Sequence, residues 1–225
     1  MERHLRTFLK KAAEVEDKHK AYVLLTGILP TISKTELSLD YMTPKPRYWS
    51  LNEMIKGVRN TDFSLHIKGV DELSITHDSV LMEACNTSFQ LHLQIDPDEF
   101  VDHYNWAQVI SGPVLGMCAN SPLLLGRELW SETRIALFQQ SIDTRQVSYA
   151  LKDQVSRVSF GEQWESGNIA DIYKNEIAQH KILLSREIKN NSLEQLKNGV
   201  IPKLEALSVH FGTIYRWNRP CYGAS

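Results

Sequence analysis

The sequence has few cysteines, no long apolar run and little excess charge, and each lack excludes a class of protein. Its three cysteines, Cys85, Cys118 and Cys221, are far apart and lack metal or redox spacing, which predicts reduced thiols in the cytoplasm. No stretch approaches the roughly 18 apolar residues of a membrane span, and no signal-peptide pattern opens the chain. A net charge of −2 argues against a broad nucleic-acid surface. We therefore expect a soluble, cytoplasmic protein with neither a membrane nor a nucleic-acid partner.

The sequence also lacks the short motifs that identify many enzymes. It contains no P-loop, no glycine-rich dinucleotide motif, no His-Glu-x-x-His zinc motif and no Gly-x-Ser-x-Gly. Any function must therefore depend on residues that are dispersed along the chain. The hydrophobic content of 42% is ordinary for a globular protein and predicts a sizeable core.

Periodicity predicts the order of helices and strands. Apolar and polar residues alternate in 63–68 and 88–95, which predicts strands with one buried face, whereas 21–28 is apolar on both faces and predicts a central strand. A last strand is expected in 209–217. Helices are expected in 3–16, 51–58, 96–110 (broken or kinked at Gly112-Pro113), 127–140, 169–184 and from Ser192 onward. This mixed order predicts a single α+β domain over residues 1–225, with a mainly antiparallel sheet and helices packed on one face.

The polar face of segment 88–95 is the first candidate site. It carries Gln90, His92 and Gln94. These side chains are suited to the floor of a substrate cleft, where His92 could ligate a metal or hydrogen-bond a phosphate. The alternative is a sheet face that is simply solvated.

Two arginines are the second candidate site. Arg127 and Arg134 are seven residues apart, so on the expected helix 127–140 they share one face, roughly 10 Å from each other. Two guanidinium groups on one face are suited to carboxylate or phosphate recognition. The alternative is that they form surface ion pairs with Glu128, Glu132 or Asp143.

Two further basic segments are weaker candidates. Lys45 and Arg47 lie in a proline-rich loop that would hold them in place for a ligand, unless they are ordinary solvated charges. Arg216 and Arg219 lie among large aromatic residues near the end of the last expected strand. They form either a ligand clamp or an ordinary strand edge.

Four segments of the chain are informative together. They are Met42-Thr-Pro-Lys45-Pro-Arg47-Tyr48, Ser88-Phe-Gln90-Leu-His92, Ala119-Asn-Ser-Pro122 with Gly126-Arg127 and Ser131-Glu-Thr-Arg134, and Thr213-Ile214 with Arg219-Pro220. In this order, the four segments resemble the glutamate–cysteine ligase family, especially its type 2 and plant-like branches. A fifth segment, Leu-Leu-Thr-Gly-Ile-Leu-Pro-Thr at 24–31, is similar to a long-chain branch of that family.

The resemblance implies a fold and a reaction. The fold would be similar to the catalytic core of glutamine synthetase and guanidino kinases, in which a curved antiparallel sheet surrounds the active site. ATP would phosphorylate the side-chain carboxylate of glutamate, Mg²⁺ would bind the phosphates, and an amine such as that of cysteine would form the amide, as in glutathione biosynthesis. The implied catalytic residues are Arg134 and His92, with His92 also a possible metal ligand. The implied substrate-binding residues are Arg127, Arg219, Gln90, Lys45 and Arg47.

The sequence departs from this family in its acidic residues. The family's early Glu-x-Glu strand, which binds magnesium, has no counterpart in 21–28, and a later acidic strand is expected beyond residue 225. We therefore expect a catalytic domain that is incomplete at both ends. It would act as a ligase with flanking segments or as a homo-oligomer, or else be a non-catalytic module that retains an arginine-lined cleft for an amino acid or nucleotide.

Overall fold

The computed structural model describes residues 2–59, 62–145 and 156–221. Its helices are α1 (Glu2–His19), α2 (Pro46–Arg59), α3 (Leu81–Ala84), α4 (Phe100–Cys118), α5 (Thr133–Ser141), α6 (Ile169–Gln179), α7 (Ser192–Lys197) and α8 (Glu205–Phe211). Its strands are β1 (Phe63–Lys68), β2 (Glu72–His77), β3 (Leu123–Leu124), β4 (Arg127–Glu128), β5 (Val158–Ser159) and β6 (Tyr215–Arg216). No described helix combines the length and the apolar character needed to cross a membrane.

The β1–β2 hairpin is the centre of the core. Its strands pair antiparallel from Phe63 opposite His77 to Lys68 opposite Glu72. The predicted alternation of β1 is confirmed, because Phe63, Leu65 and Ile67 are buried and the residues between them are exposed. Burying one face of a strand in this way stabilises it by roughly 1.5–3 kcal/mol for each large apolar side chain.

Helix α5 covers the buried face of the hairpin. Ala136 and Leu137 of this helix pack in one cluster with Leu65 and Ile67 of β1. Ile28, Leu124 and Leu129 belong to the same cluster, so the end of segment 21–28 and the β3–β4 hairpin are fixed to the same core. The position of the N-terminus of α5, where Arg134 lies, is therefore determined by core packing.

The expected mixture of helices and strands is confirmed, with 46% helix and 11% strand. The strands of the described ranges form three separate two-stranded sheets. The β1–β2 and β3–β4 sheets are antiparallel and β5–β6 is parallel. A core similar to that of glutamine synthetase is therefore not confirmed.

Two of the expected strands are wrong. Segments 21–28 and 88–95 are not strands, and most of their apolar side chains are exposed. Near the end of the first segment, Gly27 is bonded through its backbone to Asn120, and Thr87, directly before the second segment, is bonded to Gly27. The physical reason is that a strand needs a paired neighbour, which the side-chain pattern of one segment cannot supply.

The predicted helix 127–140 is wrong at its start. Leu125 and Gly126 both have positive φ, at 50° and 74°, so they form the tight two-residue turn that closes the β3–β4 hairpin. Arg127 is consequently in β4, and α5 begins only at Thr133. Arg127 and Arg134 therefore do not share a helix face.

The other helices differ from expectation mainly at their ends. The predicted end near Ile110 is wrong, since α4 continues through Pro113 to Cys118. Proline at 113 removes one helical N–H, and the Val109 carbonyl that it leaves free is on an exposed residue that water can reach. The start expected at Ser192 is confirmed, although Asn191 provides the cap. Most of the last expected strand, 209–217, is instead α8 and a turn that precede the short β6.

Candidate active site around Arg134

Two of the segments that carry the family resemblance, 24–31 and 119–134, meet Thr87 beside the N-terminus of α5. The Gly27 N–H donates to the Asn120 carbonyl oxygen at 2.9 Å, and the Thr87 N–H donates to the Gly27 carbonyl oxygen at 2.9 Å. The Asn120 side-chain amide donates to the Leu25 carbonyl oxygen at 3.0 Å. Three segments that are far apart in the sequence are thus joined by their backbones next to Arg134.

Arg134 forms a two-point ion pair with Glu132. Its Nε donates to Glu132 Oε1 and its Nη2 donates to Glu132 Oε2, each at 2.6 Å. The Ser121 hydroxyl also donates to Glu132 Oε1, and Arg134 Nη1 donates to the Thr87 carbonyl oxygen at 2.5 Å. We call Gly27, Thr87, Ser121, Glu132 and Arg134 the Arg134 junction.

The charges of this junction stabilise each other. Burial raises the pKa of the Glu132 carboxyl, but hydrogen bonds from Arg134 and Ser121 outweigh burial and hold that pKa below its ordinary value. The hydrogen bond to Glu132 raises the pKa of Arg134. Glu132 is therefore a carboxylate at neutral pH, and it fixes the orientation of the guanidinium plane.

The pairing leaves part of the guanidinium for a ligand. Of its five N–H groups, three donate to Glu132 and Thr87, so one on Nη1 and one on Nη2 have no protein acceptor within the described ranges. The Arg134 side chain remains 23% exposed, compared with 8% for Glu132. The alternative in which Arg134 pairs with Glu132 is therefore confirmed, although the Glu132 side chain is buried, so the pair is not a surface ion pair.

Gly27 approaches Arg134 too closely for any side chain. A Cβ at Gly27 would lie 2.6 Å from Arg134 Nε. We expect Gly27→Ala to displace the guanidinium and to lower the free energy of unfolding by about 1–3 kcal/mol, measured by urea denaturation. Gly116→Ala in α4 is the control, because a Cβ there meets nothing within 4 Å. Equal effects of the two substitutions would contradict the close packing.

The remaining candidate residues lie outside this junction. Gln90 and His92 are exposed on the segment that follows Thr87, and Arg127 is exposed on β4. Lys45 is exposed directly before α2, and Arg47 is exposed in the first turn of that helix. None of these candidates is hydrogen-bonded to the Arg134 guanidinium, whose acceptors are Glu132 and Thr87.

The charges of Arg47 and Arg219 both act on the Tyr215 hydroxyl. Burial and the charge of Glu83 raise the pKa of the Tyr215 hydroxyl, whereas the charges of Arg219, Arg47 and Arg157 lower it. Arg219 also donates to the Phe211 carbonyl oxygen. The two arginines thus act on one tyrosine, although they are far apart in the sequence.

The structure also contains a buried ion cluster that was not expected from the sequence. Arg216 Nη1 donates to Glu165 Oε1 at 2.8 Å and to the Tyr104 hydroxyl at 3.2 Å, and Arg216 also pairs with Glu176. The three charged side chains are at most 8% exposed. Glu176 lies one turn after the buried Ile172 of α6. This acidic residue on the apolar face of a predicted helix was the one feature of the sequence that could have indicated a buried ion pair.

His180 is buried beside this cluster and should make stability depend on pH. Its Nε2 lies 3.6 Å from Glu176 Oε2, and burial together with the charges of Arg157 and Arg216 lowers its pKa to about 4. In the unfolded chain His180 takes up a proton near pH 6.5, whereas in the folded chain it stays neutral until about pH 4. The free energy of unfolding therefore falls as pH decreases from about 6.5 to 4. The expected loss is about 3 kcal/mol, measured by urea denaturation across that range.

The His180→Gln variant isolates this effect. Burial raises the pKa of Glu176, which gives an opposite pH dependence that both proteins share. The free energy of unfolding of the wild-type protein minus that of His180→Gln should therefore increase as pH rises from about 4 to 6.5. Parallel curves would contradict the depressed pKa.

The described residues contain no cluster of side chains that could hold a magnesium ion by themselves. In residues 2–59, 62–145 and 156–221, no three His, Cys, Asp or Glu side chains are grouped to hold a metal. The carboxylates of Glu132, Glu165 and Glu176 are already paired with arginines. Magnesium needs oxygen ligands in near-octahedral geometry, which these pairs do not offer.

Comparison with known proteins gives one positive result. A family model described as glutamate-cysteine ligase family 2 (GCS2) matches residues 1–164, which is more than half of the chain. Curated proteins gave no match, and solved structures gave none. The matched residues include the whole Arg134 junction. The chain belongs to glutamate-cysteine ligase family 2.

Proposed function

We propose that this protein is an ATP-dependent carboxylate–amine ligase that acts on glutamate. In this reaction the glutamate side-chain carboxylate takes the terminal phosphoryl group of ATP, which releases ADP and leaves an acyl phosphate. The nitrogen of an amine such as cysteine then attacks the acyl carbon, and phosphate leaves as the amide forms. The observation that carries the proposal is the Arg134 junction, which lies within the family match.

Arg134 is the residue that we assign to anion binding. Its two remaining N–H groups bind a glutamate carboxylate or a phosphoryl oxygen, while Glu132 keeps the guanidinium from turning away. Fixing the donor before the substrate arrives avoids a reorganisation cost during the reaction. Ser121 contributes indirectly, because its hydroxyl fixes Glu132.

The other candidates take weaker roles in this proposal. Arg127, Gln90 and His92 are exposed, and we assign them to substrate contact. Lys45, Arg47 and Arg219 are assigned to nucleotide or substrate contact. No step is assigned to magnesium, because the described carboxylates do not fit it.

A second candidate function is a non-catalytic binding module. The observation that favours it is the same lack of a metal-ligand group in the described part of the chain. Such a module would use Arg134 to bind glutamate or a nucleotide without turnover. In both candidate functions the ligand binds at Arg134, but only the ligase converts it to product.

A coupled assay for ADP release separates the two functions. Wild-type protein is incubated with ATP, Mg²⁺, glutamate and a panel of amines, and ADP formation is followed with and without glutamate. The ligase proposal predicts ADP release that requires both glutamate and an amine. Binding of glutamate without any ADP release would sink the ligase proposal and favour the binding module.

A further inference from the structure

A small cavity lies between α2, α3 and the residues on either side of β5 and β6. Apolar side chains of α2 form part of its wall, and the polar residues that line it are Glu83, Arg157, Thr213 and Tyr215. The centre of a water-sized particle can move within about 20 Å³ of this cavity, which is room for one water molecule or one small ion. None of the residues of the Arg134 junction lines it, so the cavity is a separate place in the fold.

Arg157 brings a buried positive charge to the cavity. The residue is 8% exposed, and its Nη1 and Nη2 donate to the carbonyl oxygens of Thr213 and Lys181, at 3.3 and 2.5 Å. In the part of the chain that the structure describes, Arg157 has no carboxylate partner, whereas the buried Arg216 has two. A buried charge whose acceptors are all neutral has lost its hydration without an ion pair that compensates for the loss.

The charges around the cavity are mostly positive. Those that act most strongly on the Tyr215 hydroxyl belong to Glu83, Arg219, Arg47 and Arg157. Burial raises the pKa of the Glu83 carboxyl, and within residues 2–59, 62–145 and 156–221 this carboxyl forms no ion pair. Three guanidinium groups near one carboxyl group leave an excess of positive charge, which favours an anion at this place.

We propose that the cavity binds a small monovalent anion, such as chloride, through Arg157. The ion accepts hydrogen bonds from the N–H groups of Arg157 that do not donate to Thr213 and Lys181. The Thr213 and Tyr215 hydroxyl groups line the same cavity and are further donors. A water molecule has the right size as well, but it would leave the charge of Arg157 without a counter-ion.

The size of the cavity selects among anions. A phosphate or carboxylate group contains several heavy atoms, whereas the cavity admits one water-sized particle. The site is therefore distinct from the places assigned to glutamate and nucleotide. The proposal does not rest on the proposed function, and it can be tested without any assay of activity.

The melting temperature of the wild-type protein gives the first test. Chloride should raise the Tm in a saturable way when it replaces gluconate at constant ionic strength, because an ion that binds only the folded chain stabilises it by mass action. Gluconate is too large for the cavity, and constant ionic strength keeps the screening of surface charges equal. The same Tm in chloride and gluconate at every concentration would overturn the proposal.

Arg157→Met locates the effect. The substitution should abolish the increase in Tm that chloride causes, because it removes the cation that holds the ion. Arg59→Met is the control, since Arg59 is 7% exposed and also donates to a carbonyl oxygen, that of Asp143, but does not line the cavity. An increase in Tm that is abolished equally in both variants, or in neither, would contradict the assignment to Arg157.

Glu83→Gln gives a test in the opposite direction, which remains decisive even if Arg157→Met does not fold. Removing the carboxylate from the cavity removes a repulsion, so the chloride Kd should fall at least about tenfold at slightly alkaline pH. Glu72→Gln changes the net charge equally on an exposed strand residue and should leave the Kd unchanged. A Kd that is unchanged or higher in Glu83→Gln would show that chloride does not bind in this cavity.

Discussion

Replacing Arg216 with methionine should lower the free energy of unfolding by about 3–5 kcal/mol. The substitution leaves Glu165 and Glu176 buried without their shared cation, at 4% and 3% side-chain exposure. A buried carboxylate without a cation has lost its hydration, and no ion pair compensates for that loss. Chemical denaturation at neutral pH measures the effect directly.

Two further variants show that the loss comes from unpaired charge. Lys174→Met removes an exposed ion pair from the same helix as Glu176, and surface pairs contribute only about 0–1 kcal/mol. Adding Glu165→Gln and Glu176→Gln to Arg216→Met should recover part of the stability. A loss in Arg216→Met no larger than that in Lys174→Met would show that the cluster is not a structural centre.

Replacing Arg134 with methionine should weaken glutamate binding by about 10²–10³-fold, and kcat/KM should fall by a similar factor if the protein is a ligase. The variant removes both of the N–H groups that remain for a ligand. Arg134→Lys should also fail to restore full binding, because an ammonium cannot hold Glu132 and an anion in the same plane. Calorimetry and the ADP-release assay give the two readouts.

Arg145 provides a matched control for Arg134. It forms the same kind of two-point pair with a carboxylate two residues earlier, at 2.9 Å from Nε to Asp143 Oδ1 and 2.6 Å from Nη2 to Oδ2. Arg145→Met should leave glutamate binding near the wild-type value. Equal loss in Arg134→Met and Arg145→Met would mean that the pair at Arg134 acts only through stability.

The sequence predicts best where the partners of a segment are close by. The alternation in 63–68 is confirmed because β2 follows after a short turn and supplies the pairing. The same alternation in 88–95 led to a wrong strand, because no neighbouring segment pairs with it in the described structure. Periodicity reports which face of a strand is apolar, but not whether a partner exists.

The residues of the candidate site could be chosen from the sequence, but their partners could not. Arg134 stands out in the sequence, but its pairing with Glu132 depends on the backbone turn between Trp130 and Thr133, which periodicity does not report. The prediction that Arg127 and Arg134 share a helix face was wrong because Leu125 and Gly126 close a hairpin. A positive φ at Leu125 could not be predicted, since leucine rarely adopts that conformation. The role of Arg216 depended on Glu165 and Glu176, which lie 51 and 40 residues away.

The most direct measurement is a calorimetric titration of the wild-type protein and Arg134→Met with glutamate, in the presence and absence of ADP. The account predicts binding to the wild-type protein and a loss of about 10²–10³-fold in the variant, with both proteins folded by circular dichroism. Absence of glutamate binding to the folded wild-type protein, or equal binding by the two proteins, would contradict the assignment of Arg134.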